Sequence, residues 1–235
     1  MPWSPRSSTA WADVPALVSV NLGVLRQNPA AGHHDTAIDK RPHEGPVEVR
    51  APGSRRDGLG SGLVGDAVGN RRHHGGDRQA VYAVAREELD GWQEQLARPM
   101  LNGVFGENLT TLGLEVSDAV IGERWRIGEH VELQVTGPRI PCLTFRAHLG
   151  ERGWLRTFTR AARCGAYLSV VRPGPVCAGD EILVVHRPDH GVRVSTAFRA
   201  LTLEPALLPE ILDAGDDLGD ELTAMAQAGE TYSLT

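Results

Sequence analysis

A chain of 235 residues, 41% hydrophobic and 23% charged, can bury a sizeable core without disulfides and suits an ordinary globular protein of one or two domains. A formal net charge of −6 leaves no global basic field for nucleic acid or an anionic membrane, and no apolar run approaches the ~20 residues of a membrane span. Three widely spaced cysteines make neither a disulfide framework nor a CxxC zinc site, and no basic n-region precedes a long apolar run as in a secretory signal, so the chain is expected in the cytoplasm.

Residues 1–15, rich in Ser, Pro, Ala and Trp without sustained periodicity, read as a disordered or loosely attached extension. Apolar residues predict a first strand over 18–24, and a short strand over 47–49 lies between Pro46 and Pro52. Residues 53–77, rich in Gly, Arg, Asp and His, read as a surface loop whose length favours a functional or mobile role. A strand over 81–85 leads into a helix over 86–97, with Glu87, Glu88 and Asp90 near the positive end of its dipole. Short strands follow over 109–112, 125–127 and 131–135, the last alternating Val131, Leu133 and Val135 with polar residues. A helix over 153–163 carries Leu155, Phe158 and Ala162 on one stripe, and strands over 166–171 and 182–185 flank a Pro-Gly-rich turn at 173–180. So many short strands predict a β-rich α+β fold, a curled or barrel-like domain over 16–188 with a few helices. Beyond a boundary near 188–193, segments 194–201, 205–212 and 218–228 read as three amphipathic helices, an appendage over 189–235.

Cys142 carries the most chemical content. It lies in Gly137-Pro138-Arg139-Ile140-Pro141-Cys142, a strand end whose two prolines stiffen the backbone. An arginine three residues upstream is the kind of neighbour that favours thiolate, which is both the nucleophile and the metal ligand; the alternative is a small buried hydrophobe. Of the 24 basic residues, 23 are arginine and one is Lys40, an exception that matters where a compact ammonium fits and a planar guanidinium does not. In His73-His74-Gly75-Gly76-Asp77 the glycines permit unusual backbone conformations that would let main-chain N–H groups approach a ligand, and His74 and Asp77 could touch a phosphate or heterocycle. A tight strand-entry turn with a structural aspartate is the competing reading. Glu107 and Asn108, in Phe105-Gly106-Glu107-Asn108, could read the edge of a pterin or purine, or simply shape an Asx turn. Arg163 could grip a phosphate, or only satisfy the carboxyl end of a helix.

Taken in order, TAIDKRPHEGPVEV (36–49), GLVGD (62–66), HHGGD (73–77), AVYAVAREELDGW (80–92), FGENLTTLGL (105–114), IGERWRIG (121–128), PRIPC (138–142) and RCGAYLSVVRPGPVCAGDEI (163–182) resemble the MOSC domain, named for the carboxyl-terminal domain of molybdenum-cofactor sulfurase. The resemblance covers about residues 18–186. The tail after PDHGV (188–192) is similar to the three-helix appendage of bacterial single-domain members associated with resistance to N-hydroxylated purine bases. It implies a cleft for the molybdenum cofactor, with Cys142 carrying sulfur or ligating molybdenum and Lys40 facing the same cleft. Arg139, Asn108, His74 and Arg163 fall at or near positions expected to face the cofactor. Two departures stand out: Thr144 sits where relatives often have lysine, and Asp77 follows the glycine pair at once where many insert a residue.

What the resemblance implies is a molybdenum-dependent oxidoreductase reducing N-hydroxylated compounds. Its electrons would come from a separate reductase, because three cysteines are too few for a four-thiolate cluster. The helical tail could dock that partner, and a homodimer is one option for assembly. Two alternatives use the same residues: a sulfurtransferase with a Cys142 persulfide, and a non-catalytic module that stores, delivers or senses cofactor. Pyridoxal phosphate on Lys40 ranks below all of these.

Overall fold

The computed structural model describes residues 14–28, 30 and 34–233. Most of the extension expected over 1–15 therefore lies outside the described residues. In chain order the strands and helices are β1 (Ala16–Gly23), β2 (Arg26–Gln27), β3 (Asp35–Thr36), β4 (Lys40–Pro42), β5 (Val47–Val49), β6 (Val81–Ala85), α1 (Arg86–Leu96), β7 (Leu109–Leu112), β8 (Arg124–Ile127) and β9 (Val131–Pro138). There follow α2 (Leu143–Leu149), α3 (Trp154–Ala161), β10 (Ala166–Arg172), β11 (Gly174–Val176), β12 (Ile182–His186), α4 (Val194–Ala200), α5 (Leu208–Ile211) and α6 (Asp220–Ala228).

Eight strands form one sheet in the order β12-β8-β9-β10-β6-β7-β1-β4, antiparallel except for the β6–β7 pair. Alternation explains the register of β9: Val131, Leu133 and Val135 are fully buried while Glu132 and Gln134 are half-exposed. The all-buried run Val81 to Ala85 suits the interior strand β6, which is covered on both faces. The sheet curls until the start of β1 meets the turn before β12. There Ala16 bridges Glu181, Leu17 N–H donates to Asp180 O at 2.8 Å, and Ile182 N–H donates to Pro15 O at 2.7 Å. No continuous ladder joins the two, so the curled sheet does not become a closed barrel.

Two expectations need local correction. The Pro-Gly turn at 173–180 contains β11, which pairs with β5. A helix absent from the sequence reading, α2, begins directly after Cys142, so the stiff PRIPC segment is a strand-to-helix turn.

Beneath α1, α2 and α3 lies an aromatic cluster of Trp92, Phe105, Phe145, Trp154 and Phe158, with ring centroids 4.9 to 6.4 Å apart. Each fully buried ring contributes roughly 1.5–3 kcal/mol from apolar burial. Phe198 of α4 joins edge-on at 6.2 Å from Phe158, so residues beyond 189 share this core.

Candidate functional site

A cavity of about 780 Å³ lies between the β1–β4 end of the sheet, the 53–77 loop, the PRIPC turn and the helical tail. Its lining includes Lys40, His74, Gly75, Gly76 and Asp77. Asn108, Arg139 and Cys142 line it too, so these eight sequence candidates share one space. Glu107 and Arg163 do not.

Lys40 opens β4, where pairing with Gly23 of β1 fixes its backbone. Its ammonium is buried and ion-paired with Asp66, whose side chain is 1% exposed. The Asp66 carboxylate also accepts from Gly23 N–H at 2.8 Å, Ser61 Oγ at 2.6 Å and Asn108 Nδ2 at 2.9 Å. Four donors on one buried carboxylate make a closed network, and its charge balances that of Lys40. The Asn108 amide is engaged at both ends, its Oδ1 accepting from Tyr82 N–H at 3.2 Å. That replaces the expectation that Asn108 reads a ring edge with a bracing role. Sequence reasoning does not single out Asp66 as a site residue; its one signal is the GLVGD segment in the Gly-rich loop.

Arg139 leaves the end of β9 and is only 6% exposed. Its guanidinium lies 4.1 Å from the Phe145 ring centroid and 5.2 Å from that of Tyr82, both favourable cation–π placements. No carboxylate among the described residues pairs with it, and buried Nη1 has no hydrogen-bond partner. The Tyr82 and Tyr167 phenols hydrogen-bond the guanidinium and the Cys142 thiol is a further electrostatic neighbour, so the cation is held without a carboxylate and its buried Nη1 is left for an anionic group to complete. Thr144 Oγ1, at one of the two departures noted above, accepts from Asn28 Nδ2 at 2.9 Å, a neutral pair that adds no positive charge. Within the lining residues 136–144, positive charge therefore rests on Arg139.

Cys142 is half-buried immediately before α2. Of the other cysteines, Cys164 is fully buried, and burial pushes its thiol well above the ordinary range, which marks it as packing. Cys177 is half-buried outside the cavity.

Burial first, and the charge of Arg139 second, bring the His74 imidazole down to about 4, so the ring is neutral near pH 7. Gly75 and Gly76 adopt φ of +85° and +80°, and a Cβ on either would meet the backbone of Gly60 or Arg55 at 2.7 or 2.8 Å. Gly76 N–H donates to Gly60 O at 3.0 Å, so that amide serves loop-on-loop packing rather than a ligand. Asp77 follows the structural alternative: its Oδ1 accepts from Gly53 N–H at 2.8 Å while its own N–H donates to Gly53 O at 3.0 Å, closing the long loop.

Glu107 is a correction of position. It is fully buried away from the cavity, with its carboxylate accepting from Gly103 N–H at 2.5 Å, Phe105 N–H at 2.9 Å and Thr110 Oγ1 at 3.1 Å, an anchor for its own turn. Arg163 is another. Its guanidinium packs 5.4 Å from the Trp92 centroid, on the helical side of the fold with Glu88 as its charged neighbour. The tail contributes what sequence reasoning leaves out: Glu221 and Tyr232 line the cavity, and Glu221 pairs with Arg55 of the loop at 2.7 Å. Together these groups offer one soft sulfur donor, one buried cation without a carboxylate partner among the described residues and a neutral polar network in a space large enough for a sizeable ligand.

Residues 70–183 match the family model described as the MOSC domain. A Bacillus subtilis (strain 168) protein, YflK, is 30% identical over 185 residues, covering 78% of this chain and 79% of that protein. A protein of Gibberella moniliformis named "Reductase" is 30% identical over 229 residues, covering 93% of this chain but 39% of its own length, so this chain spans about two-fifths of it. The crystal structure of YiiM from Geobacillus stearothermophilus superposes with a TM-score of 0.71 at 23% identity, over 92% of this chain and 98% of that one, a likeness of fold.

Proposed function

Because this chain belongs to the MOSC-domain family, we propose that it binds the molybdenum cofactor in the cavity and reduces N-hydroxylated compounds such as hydroxylamino-purines, with Cys142 as the metal ligand. The observation that carries the reading is the Cys142 thiol beside the buried guanidinium of Arg139 in one cavity, a cation with no carboxylate partner among the described residues and a buried Nη1 without a hydrogen bond. The donor set fits: thiolates are soft ligands, and an anionic group would complete Arg139. The name of the Gibberella relative points the same way.

When bound, the cofactor supplies a centre that exchanges two electrons with the substrate. Cys142 holds it by sulfur at the end of the stiff PRIPC turn. Arg139 takes the anionic portion. Lys40, its charge balanced by Asp66, acts as a fixed hydrogen-bond donor rather than as net charge. Neutral His74 offers one donor and one acceptor without adding repulsion to Arg139. The reaction takes two electrons and two protons: the N–O bond breaks, the nitrogen gains a hydrogen, and the oxygen leaves as water. Electrons come from a separate reductase. No helix among the described residues is long and apolar enough to cross a membrane, and we place the activity in the cytoplasm.

The test is reduction of a hydroxylamino-purine by reduced methyl viologen, using protein from a molybdenum-sufficient host. Wild type should turn over, and Cys142→Ser should lose at least about 100-fold. A metal-free protein carrying a persulfide on Cys142 would replace this reading with sulfur transfer. Retained pterin without any reduction would replace it with cofactor storage or delivery.

A further inference from the structure

Four arginines stand on the outer face of α2 and α3: Arg146 on α2, Arg152 in the turn, and Arg156 and Arg160 one helical turn apart on α3, all exposed. The helices bury the opposite side, Phe145 and Leu149 from α2 and Trp154 and Phe158 from α3, so packing leaves the arginines outward. None of the four takes part in an ion pair among the described residues. Glu151, half-buried in the same turn, and Glu94, exposed on the neighbouring α1, do not pair with them either.

This face adjoins the cavity. α2 starts at the residue after Cys142, Arg146 N–H donates to Cys142 O at 3.0 Å, and Leu143 and Leu155 reach into the lining. Leu143 is also 42% exposed, an apolar group at the rim of a cationic field. The charge pattern is lopsided for a chain of net charge −6. Residues 141–163 hold five arginines against one glutamate, whereas 189–235 hold nine carboxylates against two arginines.

We propose that the α2–α3 arginine face docks the acidic surface of the electron-carrier protein that supplies this reductase, an inference that rests on the function proposed above. Charge complementarity steers an acidic partner to this face while the helical tail repels it, so the proposal places docking here instead of on the tail. Docking here brings a carrier's redox group against the helix that begins at Cys142, on the cavity side where the substrate is reduced. A long polyanion such as RNA fits less well, because four guanidinium groups on two short helices offer little track and the acidic tail lies on the other wall of the same cavity.

The experiment uses the molybdenum-loaded protein and an acidic flavodoxin as the probe carrier. Wild type and the variants Arg156→Glu/Arg160→Glu and Arg146→Glu/Arg152→Glu are compared in three measurements: viologen-driven turnover, flavodoxin-driven turnover, and binding of dye-labelled flavodoxin by anisotropy. Each variant should keep viologen-driven turnover within about twofold and lose at least about tenfold in flavodoxin-driven kcat/KM and in affinity at low salt. The wild-type advantage should vanish at high salt. Unchanged flavodoxin binding and turnover in both variants would overturn the proposal. So would equal losses with viologen, which would assign the arginines to the fold, or charge-dependent binding of an RNA oligonucleotide or anionic vesicles without any effect on flavodoxin. Failure of wild type with viologen while flavodoxin still binds this face would instead remove the reductase reading and leave the docking face standing.

Discussion

Asp66 decides how the lone lysine behaves. With its carboxylate satisfied by Lys40, Ser61, Asn108 and the Gly23 amide, the pair sits in the wall as a neutral unit. Asp66→Ala strands a buried ammonium and an amide, and should cost about 3–5 kcal/mol in urea denaturation. A loss under about 1 kcal/mol would mean that water already reaches this network. His74 makes a separate prediction with a definite sign. Its native imidazole titrates near 4 against an ordinary 6.5, so between these values the unfolded chain takes up a proton that the native ring refuses. Its contribution is complete above pH 6.5 and is lost as the pH falls towards 4. Glu88 acts the other way: burial raises its carboxyl to about 7, and stability falls as the pH rises from its ordinary value to there. The two effects are separated by comparing urea midpoints of wild type and His74→Gln at pH 7 and pH 5. Wild type should lose more on acidification than the variant, and equal losses would refute the assignment.

At the scale of elements, Phe145 links core and site, because its ring lies in the aromatic cluster and under Arg139. Phe145→Ala should cost about 3–5 kcal/mol, read from the denaturation midpoint, because it opens a cavity in the cluster and takes away the aromatic face beneath the guanidinium. Strands with clean alternation or an all-apolar run, such as β9 and β6, were legible because period and burial coincide. α2 was not legible. It spans seven residues, buries two of them, Phe145 and Leu149, and follows a proline-rich segment that reads as extended, so tertiary packing rather than local pattern makes it helical. Glu107 and Arg163 misled for a related reason: polar residues flanking glycine turns look alike whether they face a ligand or their own backbone, as Glu107 does. Cys142, Lys40 and Arg139 were legible because each is chemically exceptional where it stands. Asp66 was hidden in a loop rich in aspartate and glycine, where only the folded partners distinguish it.

On the scale of the whole molecule, the helical tail is wall as well as appendage. Phe198 packs on Phe158, Arg78 donates to Asp217 O at 2.6 Å, and Gln134 Nε2 donates to Asp217 Oδ1 at 3.0 Å, so the tail is joined to α3, to the end of the long loop and to β9. Removing residues 189–235 should abolish the single cooperative thermal transition and expose apolar surface to a hydrophobic dye. A truncated chain that melts as sharply as the full one would show the tail to be an independent unit. The most direct measurement concerns metal. Purified from molybdenum-sufficient cells, wild type and Cys177→Ser should each hold close to one molybdenum per chain by elemental analysis, and Cys142→Ser should hold almost none. Equal molybdenum in wild type and Cys142→Ser, or none in any of the three, would contradict the account.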